Sequence, residues 1–201
     1  MIVHGVVVAA GSGDRFGGDK ASAVLGGMTL WQRARQDLID GGVASVVVVG
    51  PVPDGVAGGS RRRDSVRAGL DALPADTTHV LIHDAARPLA GADLVRRVVA
   101  RLGAGDCDGV IPGIPVRDTL KRVQGERVID TADRSVLVAA QTPQGFDLAV
   151  VLAAHDAGDE DATDDAALVE ANGGAVVVVP GDPRNLKITY PEDLAVAEAL
   201  L

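Results

Sequence analysis

The stretch Ile2-Val-His-Gly-Val-Val-Val-Ala-Ala-Gly-Ser-Gly-Asp-Arg-Phe-Gly-Gly-Asp-Lys20 decides the fold. Its apolar run, Ile2 to Ala10, has the length of one strand and breaks at Gly11 and Gly13, with Arg15 and Lys20 close behind. A buried strand that ends in a glycine loop aims several backbone N–H groups at one point. Two cations beside that point suit it to a polyphosphate. Two common phosphate loops do not fit. The dinucleotide fingerprint needs Gly-x-Gly-x-x-Gly, and here the third glycine, Gly17, comes one residue late. The P-loop needs Gly before Lys and Ser or Thr after it, whereas Asp19 precedes Lys20 and Ala21 follows.

Outward from this stretch, strands and helices alternate. Thr29 is a plausible N-cap for a helix whose Leu30, Ala34, Leu38 and Ile39 share one face and which Gly41-Gly42 ends. Val43–Gly50 is a β-branched run, as expected of a buried parallel strand. Pro51–Gly59 reads as a loop, Arg63–Leu73 as a helix, and Thr78–His83 as a strand running into Asp84-Ala85-Ala86-Arg87-Pro88. Ala92–Leu102 reads as a helix and Gly109–Ile114 as a strand. Val116–Val136 has no helical stripe and too little apolar surface for a core; it reads as a hairpin around Gln124-Gly125. Pairing resumes at Val136–Ala140, before Gln141-Thr-Pro-Gln-Gly-Phe146. Leu148–Ala157 is helical, and acidic Asp159–Asp165 is a loop into a helix over Asp164–Ala171. Ala175–Val179 is a strand, Asn185–Thr189 a short strand or turn, and Pro191–Leu201 a final helix. The expectation is an α/β fold: one domain over residues 1–201, a Rossmann-like, mostly parallel sheet flanked by helices, and a protruding β-hairpin arm at about 116–136. Ligands of such sheets sit beyond the carboxyl ends of the strands. The glycine loop, Asp84–Arg87 and Arg117–Lys121 all follow strands and can meet there.

Composition narrows the function. Aromatics are 2% of the chain, with one Trp31 and one Tyr190, and the net charge is −9. A general nucleic-acid binder would carry a basic face, so none is expected as a partner. Cys107 is alone, which excludes an internal disulfide and a cysteine-based zinc cluster. The N-terminal run lacks a charged flank and a cleavage site, and no apolar stretch reaches the ~20 residues that span a bilayer. A soluble, cytoplasmic protein with no membrane partner is expected.

The glycine loop, His83–Pro88, Arg117-Asp118-Thr119-Leu120-Lys121, Gln141–Gln144 and Asn185-Leu186-Lys187-Ile188-Thr189 occur in the order found in the 2-C-methyl-D-erythritol 4-phosphate cytidylyltransferase family, which the chain closely resembles over about residues 2–200. The resemblance implies a CTP-dependent transferase of non-mevalonate isoprenoid synthesis. The acceptor's phosphate attacks the α-phosphorus of CTP, and Mg²⁺ or another divalent cation assists. That chemistry needs charge more than proton transfer. By the same resemblance Arg15, Lys20 and Lys187 are catalytic. Ala9, Ala10, Gly11, Gly13, Gly58, Gly59, Ser65 and Asp84 bind the nucleotide. Asp84, Arg87, Thr119, Arg134, Thr142 and Lys187 bind the acceptor. The metal rests mainly on substrate phosphates, with Asp84 as the protein candidate. Thr119 and Arg134 sit on the arm, which in the family reaches across a homodimer into the partner's site.

Other readings stand beside these. Ser65 suits a helix-start cap, His83 a structural role, the acidic run a solvated loop, and the arm a hairpin within one subunit. Ribitol 5-phosphate is an alternative acceptor, the molybdenum-cofactor nucleotidyltransferases fit His83–Pro88 and the arm poorly, and a non-catalytic nucleotide-binding module is a third class. The chain departs from the family at Asp19-Lys20-Ala21, in its short glycine loop and in the trimmed arm.

Overall fold

In the computed structural model, whose described residues are 1–11, 13–158 and 162–201, the opening apolar run is β1 (Val3–Val8). The elements that follow are β2 (Val24–Leu25), β3 (Met28–Thr29), α1 (Leu30–Asp40), β4 (Val46–Val49), α2 (Arg62–Asp71), β5 (His79–Asp84), α3 (Gly91–Leu102) and β6 (Gly109–Pro115). Then come β7 (Lys121–Gln124), β8 (Arg127–Thr131), β9 (Val138–Ala140), β10 (Gln144–Asp147), α4 (Leu148–Asp156), α5 (Asp165–Ala171), β11 (Val176–Pro180) and α6 (Glu192–Glu198).

The main sheet runs β11-β6-β10-β5-β1-β4, with β9 also on β6. β4, β5 and β1 pair in parallel, as do β6 and β11; β10 and β9 run antiparallel to their neighbours. The mostly parallel sheet expected from the alternation is therefore present. Side chains alternate across it, as strand geometry requires. Val7 and Leu81 face a layer with Leu38, Val95, Val98 and Leu102 from α1 and α3. Val6, Val80 and Ile82 face the other layer, with Val66, Leu70, Val151 and Val169 from α2, α4 and α5. A third, smaller cluster joins Leu25, Leu30, Ile188 and Ala197.

Three local readings change. The loop expected over Ala10–Gly27 ends in a two-strand hairpin, because Gly26 (φ 53°) and Gly27 (φ 81°) supply the left-handed turn that joins β2 to β3. Gln144–Asp147, read only as part of a motif, is a strand in the middle of the sheet. Its polar residues hide it, and it is defined by pairing with β5 and β6. No strand forms at Asn185–Thr189. Other boundaries shift by a few residues. Thr29 does cap α1, in a capping box with Gln32. Asp164 caps α5, while Asp159, Glu160 and Asp161 of the acidic loop lie outside the described residues.

Asp37 of α1 accepts a hydrogen bond from Gly91 N at 3.0 Å and so ties α1 to the start of α3. Burial pushes its carboxyl up to about 6. The folded state then binds its proton more tightly than the unfolded chain. The stabilisation is complete below the ordinary value near 4 and is lost as pH rises through about 6. Asp37→Asn keeps an oxygen for Gly91 and carries no charge. It is expected to stabilise the fold by about 2 kcal/mol at pH 7.5. The gain should vanish by pH 4, as read from thermal unfolding at both pH values.

Candidate functional site

Val8 and Asp84 are paired in register at the carboxyl ends of β1 and β5. The chain leaves both strands there, and a cleft of about 430 Å³ opens over the two ends. Ala9, Ala10 and Gly11 line it from β1, Asp84, Ala85 and Ala86 from β5, and Gly59, Ser60, Arg61, Arg62 and Ser65 from the start of α2. Lys20 and Lys187 complete it. The place is the one the sheet topology requires.

The glycine edge is built by close approach. A Cβ on Gly58 would lie 2.5 Å from the Cβ of Ala10 and 2.9 Å from Ser65 Oγ, so only glycine lets the two loops touch. Ser65 is not the helix cap: α2 begins at Arg62, and the buried Ser65 hydroxyl accepts from Gly59 N (3.1 Å) and donates to Arg61 O (3.1 Å). Asp64 reaches back to Arg61 N at 3.1 Å and fixes the turn.

The two lysines are held by one short segment. Ile188 is fully buried in the third cluster, its N–H donates to Ala86 O (2.8 Å), and its carbonyl accepts from Lys20 Nζ (3.0 Å). Lys187, the neighbour of this anchor, points into the cleft and meets Asp84 Oδ2 at 2.7 Å. Burial and the Lys187 ammonium draw Lys20 below the usual lysine range, with Asp84 pulling the other way. Burial alone would raise Asp84, yet Arg62 and Lys187 hold its carboxyl well below the usual carboxylate range. It is ionised at neutral pH.

Behind Asp84 lies His83, fully buried and pushed down to about 4 by that burial, hence neutral at pH 7. Its Nε2 faces Arg87 O (3.1 Å), which can only accept, so Nδ1 accepts the Thr142 hydroxyl proton (2.7 Å). The same hydroxyl accepts from Asp84 N at 3.1 Å. These contacts, to the Thr142 hydroxyl and a backbone carbonyl, suit the structural part expected of His83.

The cleft thus gathers Ala9, Ala10, Gly11, Lys20, Gly59, Ser65, Asp84 and Lys187, with Gly58 directly behind. Others lie outside its lining. Gly13 turns the loop (φ 69°), and Arg15 is exposed on it, near enough to repel Lys20. Arg87 donates to Asn185 O and Ala140 O, and Thr142 is buried beside His83. Thr119 and Arg134 are exposed on the arm, where Arg134 Nη1 donates to Arg117 O.

Neither Asp165, in the family-like stretch Thr163-Asp164-Asp165-Ala166, nor Arg62 is among the expected site residues; Arg62 stands in Gly58-Gly59-Ser60-Arg61-Arg62-Arg63-Asp64-Ser65, which resembles the family's Gly-Gly-x-x-Arg-x-x-Ser stretch. Arg62 spans Asp84 Oδ1 (3.3 Å from both Nε and Nη2) and Asp165 Oδ2 (2.8 Å from Nη1).

The family model for 2-C-methyl-D-erythritol 4-phosphate cytidylyltransferase matches residues 3–201. The chain belongs to this family. Within it, a bifunctional IspD/IspF enzyme of Solidesulfovibrio magneticus is 47% identical over 99% of the chain, which spans 57% of that relative's length. A 2-C-methyl-D-erythritol 4-phosphate cytidylyltransferase of Streptomyces coelicolor is 41% identical over 98% of the chain and 83% of its own length. The crystal structure of the 2-C-methyl-D-erythritol 4-phosphate cytidylyltransferase from Thermus thermophilus superposes with a TM-score of 0.83 at 35% identity, covering 97% of this chain and 96% of that one. The fold and the enzyme class, a nucleotidyltransferase, are those of the family.

Proposed function

We propose that the cleft joins CTP to 2-C-methyl-D-erythritol 4-phosphate, giving 4-diphosphocytidyl-2-C-methyl-D-erythritol and pyrophosphate, the family's step in non-mevalonate isoprenoid biosynthesis. The observation that carries this reading is the meeting of Lys20, Lys187 and Asp84 opposite the glycine edge. The amides of Ala9, Ala10, Gly11 and Gly13 serve the triphosphate, and Gly58, Gly59 and Ser65 present a polar edge to the base. A phosphate oxygen of the acceptor attacks the α-phosphorus, and the bond to the pyrophosphate oxygen breaks. The nucleophile is already an anion, so no proton is removed from it. Charge builds on the α-phosphoryl and leaving oxygens, and Lys20 and Lys187, held in the cleft, stabilise it together with Arg15 from the glycine loop. Asp84 orients Lys187 and the ribose side. Arg87, Thr142 and Lys187 serve the acceptor, with Thr119 and Arg134 arriving from a partner subunit in a homodimer.

A divalent cation such as Mg²⁺ fits the cleft as a companion of the triphosphate. Among the described residues no three His, Cys, Asp or Glu side chains gather, and Asp84 is the single carboxylate of the lining. Mg²⁺ needs few protein ligands when phosphates and water supply the rest. When bound, it supplies charge neutralisation on the triphosphate. No helix among the described residues is long and apolar enough to cross a membrane. A cytoplasmic site goes with two phosphorylated, membrane-impermeant substrates.

Pyrophosphate release with CTP, Mg²⁺ and one acceptor at a time tests the reading. Turnover with methylerythritol 4-phosphate and none with ribitol 5-phosphate is expected; the family match does not favour the latter. Turnover with ribitol 5-phosphate alone would move the acceptor. CTP binding without release from either acceptor would leave a binding module.

A further inference from the structure

A line of alternating charges runs from the cleft into the protein. Lys187 meets Asp84 at 2.7 Å, Asp84 meets Arg62 at 3.3 Å, and Arg62 meets Asp165 at 2.8 Å. Asp165 Oδ1 then faces His155 Nε2 at 3.2 Å. The side chains of Asp165 and His155 are both 1% exposed, and neither residue lines the cleft. The five residues come from the Lys187 segment, β5, α2, α5 and α4, so this line ties one strand and three helices of a single layer to the catalytic segment. α5 is itself fixed, since Gln144 Nε2 donates to Asp164 Oδ2 (2.8 Å) and Gln144 Oε1 accepts from Ala166 N.

Burying a carboxylate costs folding free energy, and apolar packing in place of the whole Arg62–Asp165 pair would serve stability at least as well. What Asp165 does is hold one edge of a planar fork. With Nη1 on Asp165, the Arg62 guanidinium can present only Nε and Nη2 to Asp84, side by side. That fixes Asp84 Oδ1 and turns Oδ2 toward Lys187. Burial would lower the Arg62 guanidinium, and the two carboxylates more than offset this, so the fork stays charged. Lysine, a point charge, cannot reproduce a two-sided fork.

We propose that Arg62, backed by Asp165 and His155, is a positioning residue that acts through Asp84 to hold Lys187 in place for the reaction. This rests on the reading of Lys187 as a group that acts on the reacting phosphates. Arg62 then contributes to turnover only as far as Lys187 is there to be positioned.

The test is a double-mutant cycle on the full chain, read as kcat with both substrates saturating and as KM for CTP. Arg62→Lys is expected to lower kcat about tenfold with KM for CTP changed by less than about twofold. Lys187→Ala should lower kcat more, and adding Arg62→Lys to it should cost nothing further. Multiplying effects in the double variant would overturn the proposal, because Arg62 would then act independently, on the nucleotide or on the fold. An unchanged kcat in Arg62→Lys alone would overturn it too. An unchanged kcat in Lys187→Ala alone would instead refute the role of Lys187 and remove the ground beneath the proposal. Folding is followed by Trp31 fluorescence. If Arg62→Lys does not fold, Asp165→Asn takes its place in the cycle, with the same expected coupling.

Discussion

Lys187→Ala is expected to lower kcat by about 10²- to 10³-fold at saturating CTP and acceptor, the range found when one preorganised charge or donor is removed from a transition state. The size follows from how the ammonium is held. Ile188 is fully buried and donates its N–H to Ala86 O, so the backbone beside Lys187 is fixed to the end of β5. Asp84 fixes the other end of the side chain at 2.7 Å. A charge so placed needs no reorganisation as negative charge grows on the transferring phosphoryl group. The side chain is 44% exposed, so truncation leaves the core intact. Asp84 keeps its Arg62 partner, and the melting temperature should change little. The loss should fall on kcat, since the contact strengthens as the reaction proceeds. Pyrophosphate release under saturation measures it, and an unchanged kcat would remove Lys187 from the catalytic set.

Parts of this site can be read from the chain because position along a strand carries meaning. Val46–Val49 is recognisable as a buried parallel strand from its unbroken β-branched run. Once the strands are placed, residues at their carboxyl ends, such as Ala9 and Asp84, are assigned to one edge. Thr29 with Gln32 is a local signal and is equally readable. Gln144–Asp147 is not, because a central strand containing glutamine and glycine has neither alternation nor β-branching; only its partners define it. The link between Arg62 and Asp165 spans 103 residues of sequence. No local pattern encodes such a pair. Arg62 lies in a run of three arginines, of which Arg61 turns to Asp64 and Arg63 to carbonyls of the α4 end, and tertiary contacts alone tell the three apart.

The arm supplies the second large effect. Thr119 and Arg134 are exposed in the single chain and absent from the cleft lining, the placement that the proposed homodimer, with each arm serving the partner's site, calls for. β7 and β8 form a two-stranded sheet that pairs with no other described strand, and such a hairpin is at best marginally stable in water. Along and beside it Leu120, Val123, Val128, Ile129, Val136, Leu137 and Val138 are exposed, Val136 by 79%. Aliphatic side chains exposed on and beside a hairpin suit a partner surface, and the proposed two-fold dimer would offer each arm the same one. Arg134→Ala is therefore expected to lower kcat about 100-fold, comparable to loss of an in-chain cation at the site. The decisive comparison mixes two inactive proteins. In co-expressed Arg134→Ala and Lys187→Ala chains, half of the dimers pair one of each. One site of every such pair then has Lys187 from one chain and Arg134 from the other, while its second site carries both defects. Activity per site should return to about a quarter of the unsubstituted value. An arm that served its own subunit would give no recovery, because every site would keep one defect whatever its partner. Recovery of activity from two inactive chains can come only from sites assembled across the two-fold axis.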